Sequence, residues 1–229
     1  MEMNLHMPQD AESEAELRNL AAVPYQIISP GNNAAIIGIY QDSMLGSYRF
    51  TRPNITFTQK EAMNLLMMFD KVDAKLLNKR RNEKITSFEV LSQILPPLSL
   101  KIKNKQYDIE KDKKETSNNI IEIKNGTYIR GQMDKGVLGS GTKGLIHRVC
   151  NDFGNIASAA FIDDLQNIIT EYMKQSTFSV GISDLITDRK TYDKISDIIT
   201  EKKNNVYDLI DQVRIGVFEN NSGKTNVEE

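Results

Sequence analysis

The dipeptide Asn125-Gly126 is the feature of this sequence that most constrains the fold. It lies between two runs rich in β-branched residues, IIEIK and TYIRGQM. A two-residue type I′ turn needs a positive φ at both central positions, and Asn-Gly tolerates this best. The sequence therefore predicts a β-hairpin over about 120–133, whose ladder a bulge at Gly131 would end. The two-residue loop fixes the expected cross-strand pairs as Ile123 with Tyr128 and Ile121 with Arg130.

Helix signals occur on both sides of this hairpin. Thr58 and Thr86 each precede a glutamate by three residues, which is the capping-box spacing, and Pro96-Pro97 stops the second of these helices. Apolar spacing and end signals place helices at about 11–22 after Asp10, at 59–70, from Thr86 to Pro96, at 156–173 after Asn155, and from Asp188 to Gly216. A short strand is predicted near 34–40. The predicted fold class is α+β, with helices packed around a small antiparallel sheet that contains the hairpin.

Two of the predicted helices carry long apolar stripes. In the helix at 156–173 the stripe consists of Phe161, Leu165, Ile168 and Tyr172, widened by Ile162, Ile169 and Met173. In the last helix it consists of Tyr192, Ile195, Ile199, Val206, Leu209 and Val213. Apolar residues three and four apart share one helix face, so we expect both stripes to face inward.

Charge is balanced over the whole chain but clustered locally. The 29 basic and 31 acidic residues leave a net charge of −2, so no overall basic field attracts nucleic acid. Ten of the fifteen residues from 101 to 115 are charged, which predicts a mobile solvated loop or a protruding strand edge. The cluster Lys79-Arg80-Arg81 could contact phosphates, although a solvated loop is the favoured interpretation.

The residues alone reveal no active site. Cys150 is the only cysteine, and His6 and His147 are the only histidines, so neither an internal disulfide nor a Cys/His zinc site can form. No apolar run approaches the roughly 20 residues of a membrane helix, and we expect an intracellular protein. The run GSGTKG matches the dinucleotide pattern G-x-G-x-x-G but lacks the predicted βαβ context, so a flexible or tightly turned loop is favoured over nucleotide binding.

Four segments of the chain nevertheless resemble a known family. They are EMNLHMPQ at 2–9, IISPGNNAAIIGIYQDSMLGSYRFT at 27–51, NGTYIRGQMDKGVLGSGTKGLIH at 125–147 and FSVGISDLITDRKTYDKISDII at 178–199. In this order they resemble the largest subunit of multisubunit DNA-directed RNA polymerases, in the stretch that follows its catalytic aspartate loop. The region 70–119 matches only weakly. The resemblance covers most of the chain and implies a piece of that subunit.

In that family, three aspartates of an Asn-Ala-Asp-Phe-Asp-Gly-Asp loop hold the catalytic Mg²⁺. The resemblance places Met1 where the third aspartate would be, so we expect no catalytic residue and no metal ligand in this chain. It implies three parts, which are the tail of the active-site domain at 1–22, the pore domain at 23–182 and the start of the funnel domain at 183–229. A split gene, an intervening element, an incomplete gene or a deliberately designed fragment would each explain such a piece.

The resemblance implies that this piece forms the wall of the secondary channel under the active centre and is not catalytic alone. Glu2, Asn4 and His6 would then lie near the metal and orient the aspartate loop. The residues expected to line or brace the pore are Gln41, Asp42, Lys135, Gly139, Gly141, Lys143 and Gly144. The lysines would attract phosphates, and the glycines would let the backbone approach closely.

The implied partners are the other polymerase subunits, above all the second-largest, with the DNA template, the RNA 3′ end, nucleoside triphosphates and a transcript-cleavage factor in the channel. The implied location is the nucleus or cytoplasm, or a virion or cytoplasmic factory for a viral source. The alternative is a stand-alone nucleic-acid or protein interaction module derived from such a subunit. An upstream reading frame that ends in the aspartate loop would distinguish the two.

Overall fold

The computed structural model of the chain describes residues 4–78 and 83–217. The chain forms two compact units, the first ending at Thr177 and the second beginning at Phe178. The helices of the first unit are α1 (Ala11–Asn19), α2 (Gln41–Phe50), α3 (Gln59–Leu65), α4 (Ala74–Leu77), α5 (Ser87–Ile94), α6 (Lys135–Leu138), α7 (Leu145–Phe153) and α8 (Asn155–Ser176). A 3₁₀ turn at Val23–Gln26 follows α1. The predicted domain boundaries after residues 22 and 182 stay predictions.

The strands of the first unit form three small antiparallel sheets. The strands are β1 (Ile28–Ser29), β2 (Ala34–Ala35), β3 (Thr56–Phe57), β4 (Ile85–Thr86), β5 (Leu100–Lys103), β6 (Ile120–Lys124) and β7 (Thr127–Arg130). β1 pairs with β2, β3 pairs with β4, and β5, β6 and β7 form one sheet in that order. The predicted α+β class, with helices around a small antiparallel sheet that contains the hairpin, is confirmed.

The hairpin forms where the sequence predicts it, but its register changes after one pair. Asn125 and Gly126 have φ values of 45° and 76°, as a type I′ turn requires. Ile123 lies opposite Tyr128 as predicted, whereas Arg130 lies opposite Glu122 and not opposite Ile121. The predicted second pair is wrong because the bulge comes earlier than Gly131. It leaves Ile129 as the extra residue of β7 and directs Arg130 to Glu122, whose Oε2 accepts from Arg130 Nε at 3.0 Å.

Both predicted capping boxes are confirmed. The Thr58 hydroxyl accepts from the Glu61 N–H at 3.3 Å, and Thr86 and Glu89 repeat this arrangement. The helix predicted to reach residue 70 ends earlier, with α3 closing at Leu65. The predicted helix at 11–22 likewise ends at Asn19. Capping signals therefore located the starts of these helices better than apolar spacing located their ends.

The predicted strand at 34–40 and the predicted cap at Asn155 are both wrong for the same reason. In each case the polar group forms a hydrogen bond with a partner other than the one predicted. The strand predicted at 34–40 covers only Ala34–Ala35, because the Ile39 N–H donates to the Leu138 carbonyl and so leaves the β1–β2 ladder. Asn155 does not cap α8, since its side-chain oxygen accepts from Cys150 Sγ at 3.1 Å. Gly154 holds the cap position, with φ 87°.

The core of the first unit forms around α8. The predicted stripe Phe161, Leu165, Ile168 and Tyr172 is buried, together with Ile169, and confirms the expectation for this helix. The rings of Phe50 and Tyr172 meet edge to face with centroids 5.0 Å apart, and Phe57 packs on both. This aromatic cluster joins α2 and β3 to α8.

The charged region 101–115 divides into a strand and a loop. Its first residues belong to β5, which lies at the edge of the sheet, so the strand-edge alternative is confirmed there. In the loop that follows, the Asp112 carboxylate accepts from the Asp108 N–H, the Ser117 hydroxyl and the Asn119 amide, each at 2.9 Å. These hydrogen bonds, with Asn119 contributing most, hold the pKa of Asp112 below its usual value. The mobility of the loop stays a prediction.

The second unit consists mainly of α9 (Arg189–Ile215), preceded by a 3₁₀ turn at Ile182–Asp184. Asp188 caps α9 by accepting from the Thr191 N–H, and Gly216 ends it with φ 76°, both as predicted. The inward orientation predicted for its stripe is wrong. The exposed side chains are Tyr192, Ile195, Ile199, Val206, Leu209 and Val213. In the described part of this unit, residues 178–217, no second long helix or sheet is present to cover them.

Candidate functional site

Two distant segments of the first unit, residues 33–41 and 135–147, pack backbone to backbone. The Ile39 N–H donates to the Leu138 carbonyl at 2.9 Å, and the Ala35 N–H donates to the Gly141 carbonyl at 3.3 Å. These bonds fix the start of α2 beside α6 and the loop at Gly139–Gly144. Most of the residues that the sequence nominated for the pore lie on these two segments.

Glycines make this approach possible. A Cβ on Gly38 would lie 2.8 Å from the Ser140 nitrogen and 2.9 Å from the Gly139 carbonyl carbon. A Cβ on Gly139 would run into the Lys135 carbonyl oxygen, and one on Gly144 would lie 2.9 Å from the Val137 oxygen. Gly139 and Gly144 have ordinary negative φ values, so the requirement is for space. Gly141, by contrast, has no atom within 4 Å of a Cβ position.

The short helix α6 presents Lys135 at this place. The Asp134 carboxylate caps α6 by accepting from the Gly136 and Val137 N–H groups at 2.9 and 3.2 Å. Its second oxygen accepts from the Lys105 N–H at 2.7 Å. Lys135 itself is exposed at the first helical position. The carboxylate therefore holds the backbone of α6 and leaves the neighbouring ammonium group in solvent.

An open cavity of about 550 Å³ lies between α2 and α6, lined by Ile39, Tyr40, Gln41, Met44 and Lys135. It brings together Gln41 and Lys135, which are 94 positions apart in the sequence. Asp42 follows in the first turn of α2 and is exposed, and Lys143 is exposed on the glycine loop with φ 68°. The lining of the cavity is mainly apolar, with the Gln41 amide and the Lys135 ammonium group as its polar side-chain ends, a mixture common in small-molecule sites.

Sequence reasoning missed Gly38 and Tyr40 as parts of this site. The signal for Gly38 was available, because a glycine inside the apolar run AAIIGIY indicates a close backbone approach. His147 lies with Nε2 3.4 Å from Asn33 Oδ1 and Nδ1 3.4 Å from Asn151 Nδ2. These contacts are those of a structural histidine.

The remaining nominated residues lie elsewhere or outside the described residues. Asn4 and His6 are exposed in the segment before α1, and His6 lines a separate cavity of about 460 Å³ with Leu17. Glu2 and the cluster Lys79-Arg80-Arg81 lie outside the described residues. The structure thus brings two of the pore candidates, Gln41 and Lys135, to one cavity and does not bring Asn4 and His6 to it.

Three further properties of the described residues concern metal ligands, cysteine reactivity and membrane-spanning helices. Within residues 4–78 and 83–217 no group of three or more His, Cys, Asp or Glu side chains could hold a metal ion. Burial raises the pKa of the Cys150 thiol, so it is a poor nucleophile. None of the described helices is both long and apolar enough to span a bilayer.

Comparison with known proteins assigns the family. Residues 26–185 match the family described as RNA polymerase Rpb1, domain 3, and this range includes both segments of the cavity. The chain belongs to this family. The resemblance to the largest polymerase subunit is therefore confirmed. In this member of the Rpb1 domain 3 family, the glycine loop follows helix α6. A dinucleotide-binding loop follows a strand directly, so the structure disfavours dinucleotide binding through GSGTKG.

Two curated relatives are the DNA-directed RNA polymerase II subunits RPB1-A and RPB1-B of Trypanosoma brucei brucei. Each is 30% identical to this chain over 208 residues, which is 90% of the chain. The same alignment covers 11% of each relative. The chain therefore spans about a tenth of the length of these relatives.

Proposed function

We propose that this chain serves as part of the largest subunit of a DNA-directed RNA polymerase and forms the wall of the secondary channel under the active centre. The observation that carries the proposal is the cavity between α2 and α6, in which Gln41 and Lys135 meet inside the range that matches Rpb1 domain 3. The exposed ammonium groups of Lys135 and Lys143 would attract the phosphates of nucleotides entering the channel. Asp42, beside Gln41, would brace the start of α2.

The glycines have a matching role in this proposal. Gly139 and Gly144 let the loop lie against α6 and the Gly38 segment without side chains in the contact. A channel wall built from backbone in contact with backbone keeps its shape while ligands pass, because few rotatable side chains contribute to it. At Gly141 the space that a Cβ would occupy is empty, and this side of the residue would face the channel.

Catalysis would belong to the complete enzyme, whose Mg²⁺ site lies outside this chain. The described residues contain no cluster able to hold the ion, so no step of nucleotide transfer is assigned to them. The partners we propose are the second-largest subunit, the DNA template, the RNA 3′ end, nucleoside triphosphates and a transcript-cleavage factor. For the location we propose the nucleus in a eukaryotic cell, and a cytoplasmic factory or virion for a viral source.

The channel role is tested by charge reversal at the cavity rim. In a complete polymerase that carries this sequence in its largest subunit, Lys135→Glu is expected to raise the KM for nucleoside triphosphates about threefold or more, because it replaces attraction of phosphate by repulsion. The kcat at saturating nucleotide should stay within about twofold. Steady-state elongation assays on a defined template measure both constants.

Lys60→Glu is the matched control, since Lys60 is an exposed lysine of α3 outside the cavity. It makes the same change of charge and should leave the KM unaltered. An equal rise of KM in both variants, or no rise in either, would remove the support for a nucleotide path past Lys135.

A second expectation concerns the isolated chain. The purified 229-residue protein should incorporate no nucleotide in a primer-extension assay with Mg²⁺, because two-metal catalysis requires carboxylate ligands that the described residues do not group together. Template-dependent incorporation by a preparation free of other polymerases would contradict this assignment. The alternative of a stand-alone interaction module predicts the same inactivity, so this assay does not separate the two, whereas the Lys135 experiment does.

A further inference from the structure

The three-stranded sheet has two outer strands, β7 and β5, and they differ in whether another element of the described chain covers the free edge. Beyond β7 lies α5, and the Tyr128 N–H of β7 donates to the Ser92 hydroxyl of that helix at 2.9 Å. β5 is the opposite edge strand. Among residues 4–78 and 83–217, no hydrogen bond from another element reaches the backbone of Lys101 or Lys103. The edge of β5 is therefore open in the described part of the chain.

The direction of the backbone groups of β5 follows from the hydrogen bond at its end. The Asn104 N–H donates to the Asn119 carbonyl at 3.0 Å, on the side of β6. In an antiparallel pair, the residues whose backbone groups point to the partner strand alternate along the strand. Leu100 and Ile102 thus point their N–H and C=O groups to β6. Lys101 and Lys103 point theirs to the open edge, where they can pair with another strand.

The side chains of β5 alternate between the two faces of the sheet. Leu100 and Ile102 lie on the inner face, opposite the buried Ile123 and Ile121, and are only half-buried themselves. Lys101 and Lys103 lie exposed on the outer face. An added strand would therefore meet apolar side chains at every second position and lysines at the positions between.

The outer face has an excess of positive charge. Glu122 in the middle strand accepts from Arg130 at 3.0 Å, and also lies 3.2 Å from Lys124 and 3.8 Å from Lys101. These cations, Arg130 foremost, hold the pKa of Glu122 below its usual value. One carboxylate therefore faces three cations, and positive charge remains in excess on this face. The Lys103 ammonium lies 4.4 Å from the centroid of the Tyr107 ring, and no carboxylate of the described residues pairs with it.

We propose that the open edge of β5 binds an extended segment of a partner protein in which acidic residues alternate with apolar ones. Lysines on an edge strand normally discourage strand addition, because an uncharged strand would leave them poorly solvated. Acidic side chains at every second position, about 6.8 Å apart, match the spacing of Lys101 and Lys103 and remove that penalty. The apolar side chains between them would complete the burial of Leu100 and Ile102. This interaction is independent of the proposed channel role, since none of these residues lines the cavity at Lys135.

A single-stranded nucleic acid would satisfy the lysines but not the open backbone groups of β5. A polypeptide strand satisfies both, as in other cases of strand addition. For this reason the geometry favours a peptide, and binding of an oligonucleotide becomes an outcome of the test.

The test uses the complete 229-residue chain and a fluorescein-labelled peptide of eight residues that alternates Glu and Val, followed by fluorescence anisotropy. We expect saturable binding at micromolar to submillimolar peptide. The double variant Lys101→Glu/Lys103→Glu should weaken it about tenfold or more, which corresponds to roughly 1.4 kcal/mol. The control Lys60→Glu/Lys75→Glu makes the same change of charge on exposed lysines of α3 and α4 and should change the affinity less than about twofold.

A second arm needs no protein variant. N-methylation of every second peptide amide removes the strand hydrogen bonds but keeps all the charges, and should abolish binding. Equal binding of the methylated peptide, equal weakening by both double variants, or no binding below about 1 mM peptide would each overturn the proposal. Binding of an eight-nucleotide oligothymidine that exceeds the peptide and depends on Lys101 and Lys103 would also overturn it, in favour of a nucleic-acid contact.

Discussion

Gly131→Ala is expected to lower the free energy of unfolding of the first unit by about 4 kcal/mol, because two separate costs combine at this position. Gly131 has φ +110°, a conformation that L-residues with a Cβ rarely adopt. A Cβ there would also lie 2.5 Å from the Ile120 carbonyl oxygen and run into the Ile121 backbone. Neither backbone group can move aside without disturbing β6. Urea unfolding followed by circular dichroism measures the loss.

The position of Gly131 is fixed from its other side as well. The buried hydroxyl of Tyr128 donates to the Gly131 carbonyl at 2.8 Å. Burial raises the pKa of Tyr128, so the phenol keeps its proton and this bond at every ordinary pH. If Gly131 moved away from β6 to make room for a Cβ, its carbonyl would leave the buried Tyr128 hydroxyl without an acceptor. This lost hydrogen bond adds to the cost of the substitution.

Gly154→Ala is the matched control for this substitution. Gly154 has φ +87°, but no atom lies within 4 Å of its Cβ position. Alanine at this position is strained by the positive φ but meets no steric clash, so we expect the free energy of unfolding to fall by about 2 kcal/mol. Equal losses for the two variants would show that the end of the hairpin shifts to accommodate a side chain, and that the close approach to β6 is not a constraint.

The same hairpin shows which parts of the fold were predictable from sequence. The turn at Asn125-Gly126 and the caps at Thr58 and Thr86 are determined by residues within three or four positions of one another, and all three were predicted correctly. The early bulge was not, because it depends on the contact of Arg130 with Glu122 across the strands. Local backbone chemistry is readable from sequence, whereas cross-strand pairing is only partly so.

Helix α2 was missed for a reason visible in its packing. Its buried residues include Gly46 and Ser47, and a Cβ on Gly46 would lie 2.5 Å from Ile169 Cγ2 and 2.8 Å from Met173 Cγ. The helix thus approaches α8 through small residues, so it carries no apolar stripe of the usual period. α9 shows the converse, since its stripe correctly indicated an amphipathic helix but could not indicate whether the described chain supplies a partner for it.

The candidate site was predictable only through the family resemblance. Gln41 and Lys135 have no motif in common, and only the packing of the Gly38 segment on Leu138 and Gly139 brings them to one cavity. Sequence chemistry could nominate glycines for close approach, and this holds at Gly139 and Gly144 but not at Gly141. The sequence therefore indicated where the backbone could approach closely, whereas only the structure showed which of these residues lie next to one another.

The assignment of the core to α8 leads to the second large effect expected, that of Ile168→Ala. The Ile168 side chain is 1% exposed on the stripe that packs under α2 and the aromatic cluster of Phe50 and Tyr172. Its truncation should cost about 3 kcal/mol, from lost burial and from the cavity left behind. Ile156→Ala makes the same chemical change on the same helix at a side chain that is 65% exposed, and should alter stability by less than about 0.5 kcal/mol. The gain of helix propensity on changing isoleucine to alanine is well under about 1 kcal/mol at either position, so the difference in urea midpoint reports mainly burial. Equal effects would mean that α8 is not the helix around which the core forms.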